Sequence, residues 1–428
     1  MRILIENGTV IDPQQSLDDL RNIYIDNKNI VAVLAPDDLT NAPFTKDDAE
    51  HVYDAGGQII CPGLIDIHVH FRDPGQEYKE TIETGCQAAA YGGFTDVCCM
   101  PNTNPINDQP EITKYMTEKA QSLGGTRVHP VAAISPESKG KGLTEMGLLL
   151  EAGACGFSDD GQPVSDSQLM RRAMEYARSF DALIISHCED LRLAAGVMNE
   201  GIVSTRMGLA GIPNAAESVM VMRDIALCEL TGTRLHIAHV STAQSVEAIK
   251  FAKDKGLPVT AETAPHYFTL TDSSVLEYDT HAKMNPPLRT ETDREAIRKA
   301  LADGIIDVIA TDHAPHSDLE KNVPFDQAAN GIIGLETSLA LGLKLVHDNV
   351  LTLSQLIEKM SINPAKIVKM PEKRIASGYT ADLTIIDLTF KHTFSAKLFK
   401  SKSRNTPFHG WKCRGKVMQT IVDGRLCL

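Results

Sequence analysis

The chain has 428 residues, and 42 Lys and Arg against 56 Asp and Glu give it a formal net charge of −14 at pH 7. Its composition, 43% hydrophobic and 23% charged, excludes global disorder, and its length favours one large domain with a smaller one. The acidic balance argues against a nucleic-acid or anionic-membrane partner, because both attract basic surfaces.

Short strands and tight turns are predicted at both ends of the chain. Near the N-terminus the strand 3–6 runs into Asn7-Gly8, a strong two-residue hairpin signal, and further strands at 23–25 and 30–33 flank a turn. The C-terminal part has the same texture, with strands at 381–387 and 417–422. Two ends of this kind predict one small β-domain formed by both termini.

The middle of the chain alternates between apolar runs and helical patterns. The runs are 64–70, 94–100, 128–134, 154–160, 182–187, 235–240, 258–261 and 308–311. Between them lie helical patterns such as 78–91, 166–178, 214–230, 243–254 and 291–302. Eight alternations favour a (β/α)8 barrel over a doubly wound open sheet, although spacing alone leaves the open sheet possible.

Polar residues end most of these apolar runs. They are His68, His70, Asn102, Asp159, Asp160, His187, His239 and Asp312. In a barrel, the carboxyl ends of the strands form the rim that carries the active site. The sequence therefore predicts a polar site at one end of the barrel.

The histidines among them indicate a metal site. His68 and His70 are two residues apart, so on a strand both point to the same side. A lone His at the end of an apolar run is more often a core residue, but His187 and His239 end two further runs. Imidazole and carboxylate ligands without thiolate are typical of an open, catalytic zinc site.

Two carboxylate positions accompany the histidines. Asp159 and Asp160 point opposite ways on a strand, so at most one faces a metal, and the residues alone leave open which one. The alternative for the pair is a solvated turn. Asp312 can exchange a proton with a metal-activated water, and its position at the rim favours this role over that of a helix N-cap.

Five motifs occur in order: HVHFRDPG at 68–75, MPNT at 100–103, SHCE at 186–189, IAHVS at 237–241 and TDHAPH at 311–316. With them the chain resembles the amidohydrolase superfamily and, within it, the bacterial dihydroorotases of the longer, class I type. The resemblance runs from the first strands to 405–408. It implies a (β/α)8 barrel at 58–372 with a β-sandwich made from 1–57 and 373–428.

The resemblance also implies roles for individual residues. One or two zinc ions are expected, the first on His68 and His70, the second on His187 and His239, with Asp160 as the bridge. Asp312 matches the catalytic acid/base that also touches the first metal. Residues that match substrate contacts are Arg72, Asn102, Asn285 and His316, and the backbone of Asn330-Gly331 matches the stretch that closes over the pyrimidine.

The implied reaction is the reversible cyclisation of N-carbamoyl-L-aspartate to L-dihydroorotate in de novo pyrimidine (UMP) biosynthesis. Arg72 offers a forked pair of donors to the substrate carboxylate. Dihydropyrimidinase and allantoinase are the nearest alternatives, but they usually bridge their metals with a carbamylated Lys, and no Lys lies between Lys141 and Lys250. A non-catalytic subunit of aspartate transcarbamoylase is a further alternative, although such relatives tend to lose metal histidines that are present here.

Several expectations concern the rest of the chain. The segment 317–329 is predicted to be a mobile loop that acts as a lid, or else an idle surface loop. His236 is expected to face a helix, since it lies three residues before His239. Nine scattered Cys without a C-x-x-C spacing, no membrane-length apolar run and no signal-peptide plan predict a cytoplasmic protein. A homodimer and an aspartate transcarbamoylase partner stay open.

Overall fold

A computed structural model describes residues 1–428. Five strands come first: β1 (Arg2–Asp12), β2 (Leu17–Asp26), β3 (Asn29–Leu34), β4 (His51–Asp54) and β5 (Ile59–Pro62). Along its length β1 pairs antiparallel with β2, while its first half pairs in parallel with β4 and its second half with β5. β1 is therefore the central strand of the N-terminal segment, with β2 on one side and β4 and β5 on the other.

The predicted hairpin at Asn7-Gly8 is wrong. β1 continues through both residues with a bulge between Ile5 and Gly8, and the chain reverses only at 13–16. Asn7 takes the positive φ of 61° inside the bulge. Gly8 serves close packing rather than a turn, because a Cβ there would lie 2.3 Å from Cδ1 of Ile60.

The next strands are β6 (Leu64–Val69), β7 (Phe94–Cys99), β8 (Arg127–Pro130), β9 (Leu183–Ser186), β10 (Met198–Asn199), β11 (Gly211–Ile212), β12 (Arg234–Ile237), β13 (Val259–Thr263) and β14 (Val308–Ile309). Strands β6–β7–β8 and β9–β12–β13–β14 form two parallel sheets, and β10 pairs only with β11. Single bridges from Phe157 to Ala132 and Ile184, and from Val69 to His313, join the two sheets into a closed ring. The fourth strand was predicted over 154–160, but only the two single bridges of Phe157 occur there.

Helices surround this ring: α1 (Ile82–Tyr91), α2 (Pro110–Leu123), α3 (Met146–Glu151), α4 (Ser167–Arg178), α5 (Ile202–Met207), α6 (Ala215–Thr231), α7 (Ala243–Asp254), α8 (Pro265–Thr269), α9 (Glu291–Ala302), α10 (Asp318–Lys321), α11 (Ser338–His347), α12 (Leu353–Ile357) and α13 (Asn363–Ile367). Polar caps start several of them; Asp166 accepts from two backbone N–H groups of α4, and Thr242 from one of α7. None of the helices combines the length and the apolar character that a membrane crossing requires.

Alternate residues of the barrel strands face inward and form their own hydrophobic cluster. Its members include Ile65, Ile67, Cys98, Met100, Leu183, Ile185, Val308 and Ala310. Ala365 and Ile367 of α13 join this cluster, and neighbouring side chains hydrogen-bond the backbone just before β6 and around the start of β14. The amino ends of the strands are thus plugged, which leaves the carboxyl ends as the open mouth.

The C-terminal strands return to the first sheet: β15 (Leu383–Thr393), β16 (Lys412–Val422) and β17 (Arg425–Leu426). β15 inserts between β5 and β16, so the strand order is β17-β16-β15-β5-β1-β2-β3, with β4 also on β1. Apolar residues of β1, β2, β5, β15 and β16 enclose a separate core. The predicted fold class, a (β/α)8 barrel with a β-sandwich from both termini, is confirmed. β5 belongs to this sheet although it lies beyond residue 57.

Candidate active site

One carboxylate lies among four imidazoles at the mouth of the barrel. Oδ1 of Asp160 is 3.3 Å from Nε2 of His68, 3.6 Å from Nδ1 of His187 and 3.7 Å from Nε2 of His239. Its Oδ2 is 3.5 Å from Nε2 of His70. All five side chains are buried. These separations are longer than good hydrogen bonds, and they suit side chains that share an ion.

Backbone geometry brings these residues together. His68 and His70 lie at the end of β6, His187 follows β9, and His239 lies two residues beyond β12. His239 has a φ of 35°, and Asp312, beyond β14, has a φ of 49°. Left-handed backbone in residues other than glycine is strained, and such strain clusters at functional sites. In His239 it redirects the side chain at the strand end.

Asp312 lies beside the first pair of histidines. Its Oδ1 is 3.1 Å from Nε2 of His70 and 3.7 Å from Nε2 of His68. Burial acts to raise the pKa of Asp312, but the hydrogen bond from His70 and the charge of the neighbouring imidazoles outweigh it and lower this pKa to about 2. Asp312 is therefore ionised at neutral pH and can accept a proton.

The donor set fits a metal ion. Nε2 of His68 and Oδ1 of Asp160 are buried and have no hydrogen-bond partner. Two groups, His68–His70–Asp312 and His68–Asp160–His239, each place their ligand atoms within 4.8 Å of one another. Because an unpartnered buried polar atom is costly, a bound cation explains both atoms at once. Nitrogen and carboxylate oxygen are ligands that zinc accepts.

Asp159 points away from the imidazoles. Its carboxylate accepts hydrogen bonds from the backbone N–H groups of Ile134, at 2.8 Å, and Ser135, at 3.0 Å, and from the Ser135 hydroxyl. The two adjacent aspartates thus face opposite ways. The structure brings Asp160, and not Asp159, to the histidines.

Glu262 lies behind His68 and was not predicted from the sequence as a site residue. Its Oε1 is 2.5 Å from Nδ1 of His68, and its Oε2 is 3.2 Å from Nε2 of His236. Burial alone would raise the pKa of Glu262, but the two imidazoles lower it. A carboxylate on Nδ1 fixes the tautomer of His68 that presents Nε2 as a ligand.

The expectation that His236 faces a helix is wrong. Its two ring nitrogens contact Glu262 and, at 2.8 Å, Oγ1 of Thr260, both on the neighbouring β13. Its neighbour but one, Ala238, belongs to the inward-facing cluster, whereas Ile237 packs outward. His236 follows the regular alternation into the barrel, and His239 departs from it because of its turned backbone.

A second acidic residue without a predicted role, Glu189, lies beside His187. Oε2 of Glu189 is 3.4 Å from Nε2 of His187, and its Oε1 accepts from Nδ2 of Asn285 at 3.0 Å. Burial lowers the pKa of His187, but Asp160 and Glu189 together raise it to about 10. Asn285 thus reaches the site through Glu189.

Arg72 and Asn102 border the first histidine pair. Nδ1 of His70 lies 2.8 Å from Oδ1 of Asn102, which accepts its hydrogen and leaves Nε2 directed at the carboxylates. Arg72 is buried, has a φ of 62°, and donates through Nε to the carbonyl of Pro315 at 3.3 Å. It forms no ion pair with any carboxylate of the chain. Burial lowers the pKa of the Arg72 guanidinium, although the charges of Asp312 and Asp160 act to raise it.

His316 and the stretch 330–331 lie on the same side of the mouth. Nε2 of His316 donates to the carbonyl of Asn330 at 2.8 Å. The segment 317–329, predicted to be a mobile lid or an idle loop, contains α10 and several buried side chains, among them Lys321 and Phe325. It is anchored to the barrel rather than free of it.

Known proteins resemble this chain over its whole length. The chain matches the family model described as dihydro-orotase-like over residues 57–245. It is 55% identical to the dihydroorotase of Desulfotalea psychrophila, over 99% of both chains. It is 51% identical to the dihydroorotase of Syntrophus aciditrophicus, over 100% of this chain and 99% of that protein.

Solved structures with the same fold include a hydantoinase and a dihydropyrimidinase. The L-hydantoinase (dihydropyrimidinase) from Arthrobacter aurescens matches with a TM-score of 0.88 and 25% identity, over 99% of this chain and 95% of that chain. The dihydropyrimidinase from Brevibacillus agri NCHU1002 matches with a TM-score of 0.82 and 24% identity, over 100% of this chain and 95% of that chain.

Proposed function

The chain belongs to the dihydroorotase family, and on that premise we propose that it interconverts N-carbamoyl-L-aspartate and L-dihydroorotate in pyrimidine biosynthesis. One observation carries the proposal: the carboxylate of Asp160 lies within 3.7 Å of four imidazoles, and Asp312 lies beside them. This cluster sits at the carboxyl ends of the barrel strands, where barrel enzymes hold their substrates.

Zinc is the ion that we propose for the cluster, as one or two ions per chain. His68, His70 and Asp312 would hold one position, His187 and His239 the other, and Asp160 would bridge them. A zinc ion bound there would polarise a carbonyl and lower the pKa of water to about 7. The protein contributes the orientation of the ligands, through Glu262 behind His68 and Asn102 behind His70.

Asp312 is the group that we propose to move the proton. Ring opening breaks the amide C–N bond, adds the water oxygen to the carbonyl carbon and leaves a proton on the ring nitrogen. With a pKa of about 2, the ionised Asp312 takes a proton from the attacking water and delivers it to that nitrogen. Cyclisation runs the same transfers in reverse.

The unpaired guanidinium of Arg72 supports a substrate that bears a carboxylate. A buried Arg without a counter-ion is costly, and a bidentate carboxylate would satisfy it. Dihydroorotate carries such a group and dihydrouracil does not. Asn102, Asn285 and His316, with the backbone of Asn330-Gly331, complete the proposed substrate contacts.

Further assignments are proposals of the same kind. We place the sandwich in residues 1–57 and 373–428 and the barrel in 58–372, with β5 as a strand that links them. A cytoplasmic location is supported by nine free cysteines. A homodimer and an aspartate transcarbamoylase partner remain predictions from the resemblance.

The test is ring opening of dihydroorotate by the purified protein, with zinc supplied and again after chelation. We expect turnover that chelation abolishes and zinc restores. Arg72→Lys should raise KM for dihydroorotate by about tenfold or more, since an ammonium cannot reproduce the forked contact. Turnover of dihydrouracil or allantoin in preference to dihydroorotate would refute the proposed substrate, and no turnover of any of the three would refute the activity.

A further inference from the structure

Four consecutive backbone carbonyls beside the active site each accept a hydrogen bond from a different side chain. We name residues 328–331 the carbonyl row. Its donors are Nζ of Lys283 to Ala328 at 2.7 Å, Nζ of Lys321 to Ala329 at 2.7 Å, Nε2 of His316 to Asn330 at 2.8 Å, and Nδ2 of Asn405 to Gly331 at 3.0 Å. The row lies outside any helix or strand, so side chains replace the partners that regular structure would supply.

The two lysines of this arrangement are buried without counter-ions. Lys321 is 1% exposed and Lys283 is 4% exposed, and neither forms an ion pair with a carboxylate. Each ammonium is solvated by carbonyls instead: Lys321 also donates to the carbonyl of Lys283 at 3.1 Å, and Lys283 to that of Asp326 at 3.1 Å. Burial lowers the pKa of both groups, that of Lys321 to about 7.

Burying an ammonium in this way costs stability, whereas an apolar side chain of similar length would not. What the two lysines provide in return is geometric. Through their Nζ atoms they fix the orientation of the peptide groups at 328 and 329, directly before Asn330-Gly331. A free peptide group could rotate, and the N–H groups that follow would rotate with it.

The same lysines connect two parts of the site. The backbone N–H of Gly331 donates to the carbonyl of Lys283 at 3.0 Å, and Lys283 lies two residues before Asn285. His316, on the other side, holds the carbonyl of Asn330. Nζ of Lys321 donates to this same carbonyl of Lys283 and to that of Ala329, so its ammonium ties the row to the segment that carries Asn285.

We propose that Lys283 and Lys321 are positioning residues, which hold the carbonyl row so that the backbone of Asn330-Gly331 is in place for the pyrimidine ring. This inference rests on the proposed function, because it takes that ring as the ligand. The lysines do not touch the reacting atoms. They act through the backbone, so they affect the binding of substrate more than the chemical step.

The experiment compares Lys321→Met and Lys283→Met with a matched control, Lys359→Met. Lys359 is also buried, at 5% exposed, and its Nζ donates to the carbonyl of Ile306 at 2.7 Å, but at the plugged end of the barrel. Three quantities are measured for each variant: zinc content, kcat and KM for dihydroorotate, and hydrogen exchange of the amides at 329–331.

For Lys321→Met and Lys283→Met we expect a KM about tenfold higher with kcat within about threefold, since uniform binding is lost. Zinc content should not change, and exchange at 329–331 should be faster. Lys359→Met should leave KM and this exchange as in the wild type. If Lys321→Met does not fold, Lys283→Gln, which keeps N–H donors but is shorter and uncharged, should give an intermediate KM.

The inference is overturned if the two variants keep the wild-type KM and exchange, or if Lys359→Met changes KM as much as they do. Hydrogen exchange does not require turnover. If the wild-type protein is inactive but exchange at 329–331 is still faster in Lys321→Met, the proposed function is refuted, whereas the positioning of the carbonyl row by the lysines is retained. If the protein is active but this exchange and KM are unchanged in the variants, the proposed function is retained and the positioning role is refuted.

Discussion

Replacement of Glu262 by Gln tests whether the carboxylate behind His68 controls the affinity of the metal site. The change keeps the size of the side chain but removes its charge. Glu262 contacts two imidazoles, at 2.5 Å and 3.2 Å, and an amide can present an oxygen to only one of them. The other imidazole then meets an NH2 group, which disturbs the tautomer of His68 or the position of His236.

The size of the effect follows from the geometry. Loss of the hydrogen-bond partner behind a metal-ligating His typically costs 10–100-fold in metal affinity, or about 1.4–2.7 kcal/mol. The contact to His68 is short, charged and buried, since neither side chain is more than 2% exposed. Charge-assisted hydrogen bonds of this kind are the strong ones. We therefore expect a loss near the upper end, about 100-fold.

The assay is a competition titration of the chelated protein with zinc against a chromophoric chelator of known affinity. Glu336→Gln is the control, because the carboxylate of Glu336 accepts from the backbone N–H groups of Lys400 and Ser401 and touches no imidazole. It should bind zinc as the wild type does. A zinc affinity of Glu262→Gln within twofold of the wild type would refute the reasoning.

Three further predictions concern single side chains. Asp160→Asn should lower both zinc content and turnover, whereas Asp159→Asn should keep full zinc content; metal analysis that gives the opposite pattern would contradict the assignment. Burial raises the pKa of Glu336 to about 7, so the unfolded chain gives up this proton at lower pH than the native protein and stability falls as pH rises from about 4.5 to 7. Glu336→Gln lacks this loss of stability, so the Tm of the variant minus that of the wild type should increase between pH 5 and pH 8. A Tm difference that is the same at both pH values would contradict this prediction. Gly8→Ala should cost about 1–3 kcal/mol in urea unfolding because of the contact with Ile60, and Ile60→Val should recover part of it; an unchanged stability would exclude the clash.

The sequence predicted the barrel and the residues that meet at its mouth for a clear physical reason. Parallel strands bring their carboxyl ends to one rim, so polar residues that end successive apolar runs must lie close together. His68, His187 and His239 were located by this rule, and they surround Asp160 in the structure. The choice of Asp160 over Asp159 needed the family resemblance, because the backbone between Phe157 and the rim is not a regular strand.

The sequence did not predict the side chains that hydrogen-bond the site histidines from behind, such as Glu262. The seventh run was predicted to end at residue 261, whereas β13 extends to Thr263 and carries Glu262. A charged residue looks like the end of a buried strand unless its buried partner, here His68, is known. The hairpin error at Asn7-Gly8 has the same origin: a local turn signal was overridden by the packing of β5 against β1, which no local pattern records.

The position of β15 has a consequence for synthesis on the ribosome. Its partner β5 is made first, but residues 383–386, which pair with 59–62, leave the ribosome about 320 residues later. At ~5–20 residues per second, the edge of β5 waits roughly 15–60 s for its neighbour. Until then Ile60 and the core of the first sheet have an open edge, which is where unfinished chains associate wrongly. The last 46 residues of the chain, from Leu383 on, thus close a sheet that its first strand began.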